Sequence, residues 1–343
     1  MLAVRNGRGG RARLAEVGAY APERVMANDE LQRMVETSDE WIVSRTGIRE
    51  RRIAAPDQAS SDLAAAAGRD VLARAGVDAA DLDLVCVATA TPDHLFPSTA
   101  AIVCDRLGAV NAGSFDLMAG CTGFISGLAQ ACAWVESGLA RNVLLMGGEV
   151  LSRVLDWSDR STCVLFGDAG GAALITSGDE ETTDGFMGFD LGTDGAGASL
   201  LIIPGGGGRR PSGSPDYRRE EAFIQMNGRE VFKFAVRVMV ESVERLLDRL
   251  ELGVDEIDLM VPHQANIRII EHAVKRLGFD EDRVFNNLDR FGNTSSASIP
   301  LALAEARDLG RLRPGGRVLM VAFGAGLAWG ATVARYEPVA VAG

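Results

Sequence analysis

The sequence predicts an α/β protein assembled from two similar halves. Two observations carry the prediction. Short apolar, strand-like runs alternate with helical ones along most of the chain. The order of those runs then recurs about 170–175 positions later, a repeat too long and too sparse for a solenoid. At 343 residues the chain exceeds one ordinary core, which fits two packed units.

The first half supplies the pattern in order. "LDLVCVATA" is a strand, "TAAIVCDRLG" a helix, "AGSFDLMAG" a strand, "TGFISGLAQACAWVESG" a helix and "NVLLMGGEV" a strand. In the second helix Ile125, Leu128, Ala129, Cys132 and Val135 follow the helical period, and Gly138 marks its end. In the second half "EIDLMVPHQA" matches the first strand, "HAVKRLGF" the first helix and "RVFNNLDRFGNTSSASIPLALAEA" the second strand and helix. "GRVLMVAFGAG" matches the last strand. The expected organisation is an extension over residues 1–12, a first half over 13–178 and a second half over 179–343. Within the second, Pro204 to Glu221, "PGGGGRRPSGSPDYRREE", has the composition of a mobile surface excursion.

Composition narrows the function classes. With 47% apolar and 24% charged residues the chain is that of a soluble globular protein, and a reducing cytoplasm suits its five irregularly spaced cysteines. The absence of CxxC argues against zinc clusters and disulfide frameworks. A net charge of −12 argues against nucleic acid as the main partner. Val318 to Ala334 is uncharged, but it carries three glycines and is slightly short for a membrane span. Two strands around a glycine-rich turn are expected there, with no membrane insertion.

One cysteine differs from the rest. Cys86, Cys104, Cys132 and Cys163 sit among apolar neighbours, as small core residues do. Cys121 sits between Gly120 and Thr122 where a strand gives way to a helix. A thiol at a helix N-terminus meets free N–H groups and the positive end of the dipole, which lowers its pKa below about 8.5. Asn293 falls within about two positions of the matching helix start in the second half. His263 follows the strand that pairs, by the repeat, with the strand of Cys86. In a duplicated α/β fold such strand ends and helix starts converge on one crevice. Taken singly, Cys121 is a structural cysteine, His263 a strand-end cap and Asn293 a turn residue. Together they make a nucleophile with a neighbour that can activate it or stabilise charge on a bound carbonyl. The backbone amide of Cys121, and one from the turn Gly324–Ala325–Gly326, are candidate oxyanion donors.

Eight segments in order, "TSDEWIVSRTGIRERRI", "FPSTAA", "GCTGF", "DRSTCVLFGDAGGAALI", "NGREVFKFA", "VPHQANIRII", "GNTSSASIP" and "GAGLAWG", make the chain resemble β-ketoacyl-acyl-carrier-protein synthase III. This is a condensing enzyme of the thiolase-like superfamily that starts fatty-acid synthesis. The resemblance implies a five-layered αβαβα fold, a homodimer, acyl-CoA and malonyl-acyl-carrier-protein as substrates, and no metal or redox cofactor. It implies a catalytic triad of Cys121, His263 and Asn293, with the amides of Cys121 and Ala325 as oxyanion hole. By the same likeness Thr37, Trp41, Arg45 and Arg160 clasp the nucleotide end of CoA, with adenine sandwiched between Trp and Arg. Gly228, Phe232 and Asn266 line the pantetheine tunnel, and Phe96 reaches across the dimer to close the partner's acyl pocket.

An acidic enzyme must still offer its acidic carrier protein a basic face. Arg268, His272 and Lys275 share one face of a helix, with Arg276 beside them and Lys233 as a further contributor. A solvated outer face of an amphipathic helix has the same pattern. Three departures from the family pattern bear on the acyl group: Gly-Ala-Gly for a triple glycine, "LAWG" for aromatic-Thr-Trp-Gly, and Arg229 for Asn. Two rival readings remain beside the synthase. One is a related acyltransferase or condensing enzyme of secondary metabolism. The other is a nucleotide-binding module built on "GDAGGA", which matches no phosphate-binding loop.

Overall fold

The computed structural model describes residues 11–178 and 185–338. Residues 1–10 and 179–184 lie outside the described set, and with them most of the expected extension and the expected junction between halves. Ala12, expected in the extension, is instead the first residue of a strand. It is fully buried and pairs with Ser177, because its small side chain fits the core beneath the edge of the sheet.

The first half provides β1 (Ala12–Tyr20), β2 (Arg24–Ala27), β3 (Glu50–Ile53), β4 (Leu84–Ala88), β5 (Gly113–Leu117), β6 (Asn142–Glu149) and β7 (Ala169–Ser177). Five of these form a sheet in the order β1-β7-β6-β4-β5, parallel at β6-β4-β5 and antiparallel elsewhere. Every residue of β4 is buried, as a strand covered on both faces must be.

The second half provides β8 (Phe186–Thr193), β9 (Leu201–Ile202), β10 (Gln225–Met226), β11 (Leu259–Pro262), β12 (Arg317–Gly324) and β13 (Ala328–Arg335). Its sheet runs β8-β13-β12-β11, again parallel at β12-β11 and antiparallel elsewhere. A single parallel bridge from Met260 to Val284 stands where β5 stands in the first half. The duplication expected from the apolar runs is thus repeated strand by strand.

Helices Gly123–Glu136 and Ser298–Asp308 lie between the sheets, and their apolar residues share one core with both. Helices Ser60–Ala75 and Thr99–Leu107 cover the outer face of the first sheet, and Gly228–Leu250 and Ile267–Leu277 that of the second. The result is five layers, αβαβα. Helix Gly123–Glu136 is apolar on nearly all sides because both flanks meet a sheet. Helix Gly228–Leu250 buries one stripe, Val231, Phe234, Val238 and Leu246 among it, and turns charged residues outward.

The segment Arg317–Arg335 is a β-hairpin, as expected, and among the described residues no helix is long and apolar enough to cross a membrane. The excursion 204–221 is tied down rather than free. Arg210 donates through Nε to the Glu221 carboxylate at 3.0 Å and through Nη2 to the Asp216 carbonyl at 2.7 Å, and it also pairs with the Asp216 carboxylate. Five donors in one planar fork let a single side chain close a glycine-rich loop.

Arg51 anchors the layer that carries the site's outer wall. It is fully buried and donates to the carbonyls of Met26 (3.2 Å) and Val164 (2.8 Å) and to Asn28 Oδ1 (2.8 Å). Desolvation lowers its pKa to about 10. Arg51→Leu is expected to cost about 3 kcal/mol, because three buried acceptors lose their donors while only the arginine's own desolvation is recovered. Urea unfolding reads this directly. A loss below about 1 kcal/mol would mean that the acceptors find water instead.

Candidate active site

Cys121 occupies a short 3-10 turn, Gly120–Thr122, that leads into helix Gly123–Glu136. Gly120 has φ +52°, a conformation that turns the chain sharply before the nucleophile. Gly324, at the end of β12, lies so close that a Cβ there would stand 2.9 Å from the Cys121 nitrogen and Cβ. His263 follows β11, its backbone N–H bonded to the Val321 carbonyl at 2.8 Å. Asn293 is gripped through its backbone by the first half: its N–H donates to Leu165 O at 2.8 Å, and its carbonyl accepts from Gly167 N at 3.0 Å.

These three residues line one narrow cavity of about 90 Å³, together with Gly228, Phe232 and Asn266. Most of the remaining wall is apolar: Leu165, Phe166, Leu201, Met226, Val231 and Phe323. His263 is buried, its ring is edge-on to Phe323, and its Nε2 has no hydrogen-bond partner. Asn293 Oδ1 accepts from Ser295 N at 2.8 Å, and Nδ2 makes no hydrogen bond among the described contacts. The cavity thus brings together a thiol, an imidazole nitrogen with no partner and an amide whose Oδ1 is engaged by Ser295.

The electrostatics depart from the expectation for the thiol. Burial pushes Cys121 up to about 11, against the pull of a hydrogen bond with the Ser295 hydroxyl, and the buried Glu149 pushes the same way as burial. Desolvation outweighs the helix N-terminus at this buried position. Burial also lowers His263, to about 3, so the imidazole is neutral at working pH. Alkylation of Cys121 by iodoacetamide is therefore expected to speed up about tenfold per pH unit between pH 7 and 9, because thiolate accumulates at that rate below its pKa. A plateau near pH 8 would show that the helix terminus prevails after all.

Glu149 was not singled out in the sequence, although a carboxylate ending an apolar strand is a signal. It is completely buried at the end of β6 and accepts from Thr91 Oγ1 (2.9 Å), Ala90 N (3.1 Å) and Ser296 Oγ (2.7 Å). Burial raises its pKa while those donors oppose the rise. The contact with Ser296 stitches the halves together behind the nucleophile. Ser295, at φ +50°, is one of two non-glycine residues with positive φ among the described residues, and it adjoins Cys121. A strained backbone beside a reactive group is a mark of a built site. Ala325 is not among the positive-φ residues, so its methyl is compatible with the turn. Its nitrogen would lie 3.5 Å from a Cβ placed on Gly120, which sets it beside the Cys121 turn.

The outer residues are gathered in part. Arg160 lies over the Trp41 ring, Cζ 4.8 Å from its centroid, and donates to Glu36 O at 2.9 Å. Arg160 therefore stands directly on Trp41, closer than the about 7 Å that two stacking contacts around a base would need. The exposed Arg45 ends the same short helix as Trp41, and its carbonyl accepts from Asn266 Nδ2 at 3.0 Å, which links this patch to the cavity wall. Thr37 Oγ1 is buried without a partner. Arg268 reaches over Phe232, Cζ 5.5 Å from its centroid, so the basic helix borders the cavity mouth. Lys275 and Arg276 are exposed, whereas Lys233 is engaged with Glu230 at 2.8 Å. Phe96 is 85% exposed and takes no part in this cavity.

A wider cavity of about 580 Å³, lined by Arg283, Arg311, Arg313 and Arg317, shares no residue with the one at Cys121. Each of those arginines already donates to a carbonyl or to Glu256. Among the described residues no cluster of His, Cys, Asp and Glu is placed to hold a metal.

The model of 3-oxoacyl-[acyl-carrier-protein (ACP)] synthase III matches residues 115–195, and that of its C-terminal region matches residues 247–336. The β-ketoacyl-[acyl-carrier-protein] synthase III of Desulfitobacterium hafniense (strain DSM 10664 / DCB-2) is 51% identical over 320 residues, covering 93% of this chain and 96% of the relative. That of Symbiobacterium thermophilum is 52% identical over 320 residues, with the same shares covered. Among solved structures, the synthase III of Thermus thermophilus is 51% identical with a TM-score of 0.87, covering 95% of this chain and 99% of that one. The priming β-ketosynthase of the R1128 polyketide pathway is 37% identical with a TM-score of 0.90, covering 98% and 99%. The chain belongs to the β-ketoacyl-[acyl-carrier-protein] synthase III family of condensing enzymes.

Proposed function

We propose that this chain condenses a short acyl-CoA primer with malonyl-acyl-carrier-protein through an acyl-Cys121 intermediate, and so initiates fatty-acid synthesis. The observation that carries the reading is the convergence of Cys121, His263 and Asn293 on one narrow, mostly apolar cavity, with His263 Nε2 unpaired. An imidazole and an amide facing a mostly apolar cavity suit a reaction in which negative charge develops on a thioester oxygen.

In the first stage the thiolate fraction of Cys121, favoured by Ser295 and the helix N-terminus, attacks the acyl-CoA carbonyl carbon. The amides of Cys121 and Ala325 receive the oxyanion. The carbon–sulfur bond to CoA breaks, and CoA leaves with the proton that the thiol gave up. In the second stage malonyl thioester fills the cavity, and its carboxylate leaves as CO₂. The bonding electrons become an enolate whose oxygen accepts from His263 Nε2 and Asn293 Nδ2. The enolate carbon then attacks the acyl-cysteine and expels Cys121 as thiolate, which takes up one proton from solvent to restore the thiol. Preferential binding of the enolate over the thioester accelerates the step. Cysteine, imidazole and amide supply every step as written, so no metal or redox cofactor enters it.

Trp41, Arg45, Arg160 and Thr37 are assigned to the nucleotide end of CoA, with Arg160 swinging off Trp41 to admit adenine. Gly228, Phe232 and Asn266 are assigned to the pantetheine arm, whose thin chain suits the narrow cavity. Arg268, Lys275 and Arg276 at the cavity mouth are assigned to the acidic carrier protein, and Lys233 joins them only by leaving Glu230. A cytoplasmic homodimer completes the reading. The exposed Phe96 and the free edge of β5 support it, because both are surfaces that monomers avoid leaving open. The halves 13–178 and 179–343 remain the proposed domain division.

The test is intact-protein mass after incubation with separate acyl-CoAs, followed by malonyl-acyl-carrier-protein. A gain of one acyl group, discharged as ketoacyl product, supports the synthase and names its primer. A gain that malonyl does not discharge assigns the chain to acyl transfer instead. Likeness to the R1128 priming ketosynthase supports a second reading, priming of a secondary metabolite, which the preferred primer and carrier protein distinguish.

A further inference from the structure

His263 enters the proposed reaction through Nε2, and what Nε2 can do is decided at the other ring nitrogen. The ring is neutral, so it carries one proton. Nδ1 stands 2.6 Å from the hydroxyl of Ser298, and each residue is only 1% exposed. Two arrangements fit that distance. Either Nδ1–H donates to the hydroxyl, which leaves Nε2 a bare acceptor, or the hydroxyl donates to Nδ1, which leaves Nε2–H.

The hydroxyl decides between them. Ser298 Oγ has no other hydrogen-bond partner among the described contacts. In the first arrangement its O–H would be buried with no acceptor, at a cost of about 1–3 kcal/mol. In the second, hydroxyl and Nδ1 satisfy each other, and the remaining N–H belongs to the nitrogen that has no partner in the protein. The mount is rigid. Ser298 is the first residue of the buried central helix Ser298–Asp308, and the histidine backbone is fixed to Val321.

We propose that Ser298 is a positioning residue that holds His263 as the Nε2–H tautomer, so that His263 donates to the condensing thioester instead of taking the Cys121 proton. The inference rests on the function proposed above, and it separates two roles that a neutral histidine beside a cysteine could play. A base needs a lone pair at Nε2, whereas enolate stabilisation needs a proton there. Thiol activation then falls to the helix N-terminus and Ser295.

The first measurement is ¹⁵N spectroscopy of histidine-labelled protein between pH 6 and 8. The chain has only three histidines, and His94 and His272 are exposed, so the His263 signals are identified by their absence in His263→Gln. The expected result is an unprotonated Nδ1 and a protonated Nε2 throughout. A protonated Nδ1 with a bare Nε2 overturns the proposal. The second measurement compares half-reactions. Ser298→Ala is expected to slow ketoacyl formation about tenfold, with a smaller effect on single-turnover acylation of Cys121, and Ser298→Thr to recover most of the loss. Equal losses in both stages, or no loss in condensation, would sink it. Should Ser298→Ala fail to fold, the wild-type tautomer and the threonine variant still decide. If the wild-type protein yields no ketoacyl product, the functional reading fails while the tautomer stands or falls on its own spectrum.

Discussion

Cys121→Ala is expected to lose at least about 10⁴-fold in acyl transfer while it folds and binds acyl-CoA normally. The size of the effect follows from the absence of a substitute. Cys86, Cys132 and Cys163 are buried in apolar packing, and burial pushes each thiol upward, Cys86 to about 12. Cys104 is half-buried in the outer helix Thr99–Leu107, outside the layer that carries the site. None of the four lines the cavity. Ser295 interacts with the sulfur, but a serine hydroxyl offers no alkoxide comparable to a thiolate near neutral pH. Folding should survive, because alanine keeps the Cβ against which Gly324 packs and removes a single atom from the wall. Intact-protein mass after exposure to acyl-CoA checks this directly. An acyl adduct in the variant would mean that the nucleophile lies elsewhere, and an unfolded variant would mean that Cys121 is a core residue.

The α/β pattern and the duplication were legible because apolar runs, glycines and helix periods are local properties that survive without coordinates. The helix over Gly123–Glu136 and the hairpin Arg317–Arg335 follow from them. The convergence of Cys121, His263 and Asn293 was legible for a further reason: in a repeated unit, equivalent strand ends and helix starts meet at one crevice.

What stayed hidden was set by tertiary surroundings. The thiol pKa depended on desolvation, which no spacing encodes. Glu149 gains meaning only from Ser296, 147 positions away, and Ser298 only from His263 across 35 positions. The closed stack of Arg160 on Trp41 is likewise a matter of separation in space. Both residues can be placed near CoA by resemblance, but not 4.8 Å apart. The anchoring of the loop 204–221 by Arg210 overrode a composition that pointed to mobility.

His263→Ala and Asn293→Ala are each expected to slow condensation by about 10²–10³-fold, the cost of removing one donor from a developing oxyanion in a water-excluded site. Acylation of Cys121 should fall far less, because its oxyanion is assigned to backbone amides that neither substitution alters. The two losses should not add. A lone donor cannot stabilise the enolate as a pair does, so the double variant should lose little beyond the more damaging single one. The chain's geometry makes that coupling physical. Asn293 is held by the first half through Leu165 and Gly167, His263 by the second through Val321 and Ser298, and both line the one cavity. Single-turnover acylation beside malonyl decarboxylation on preformed acyl-enzyme measures both stages. If His263→Ala abolishes acylation as fully as condensation, the histidine is the base for Cys121, and the Nε2–H donor assigned to it is wrong.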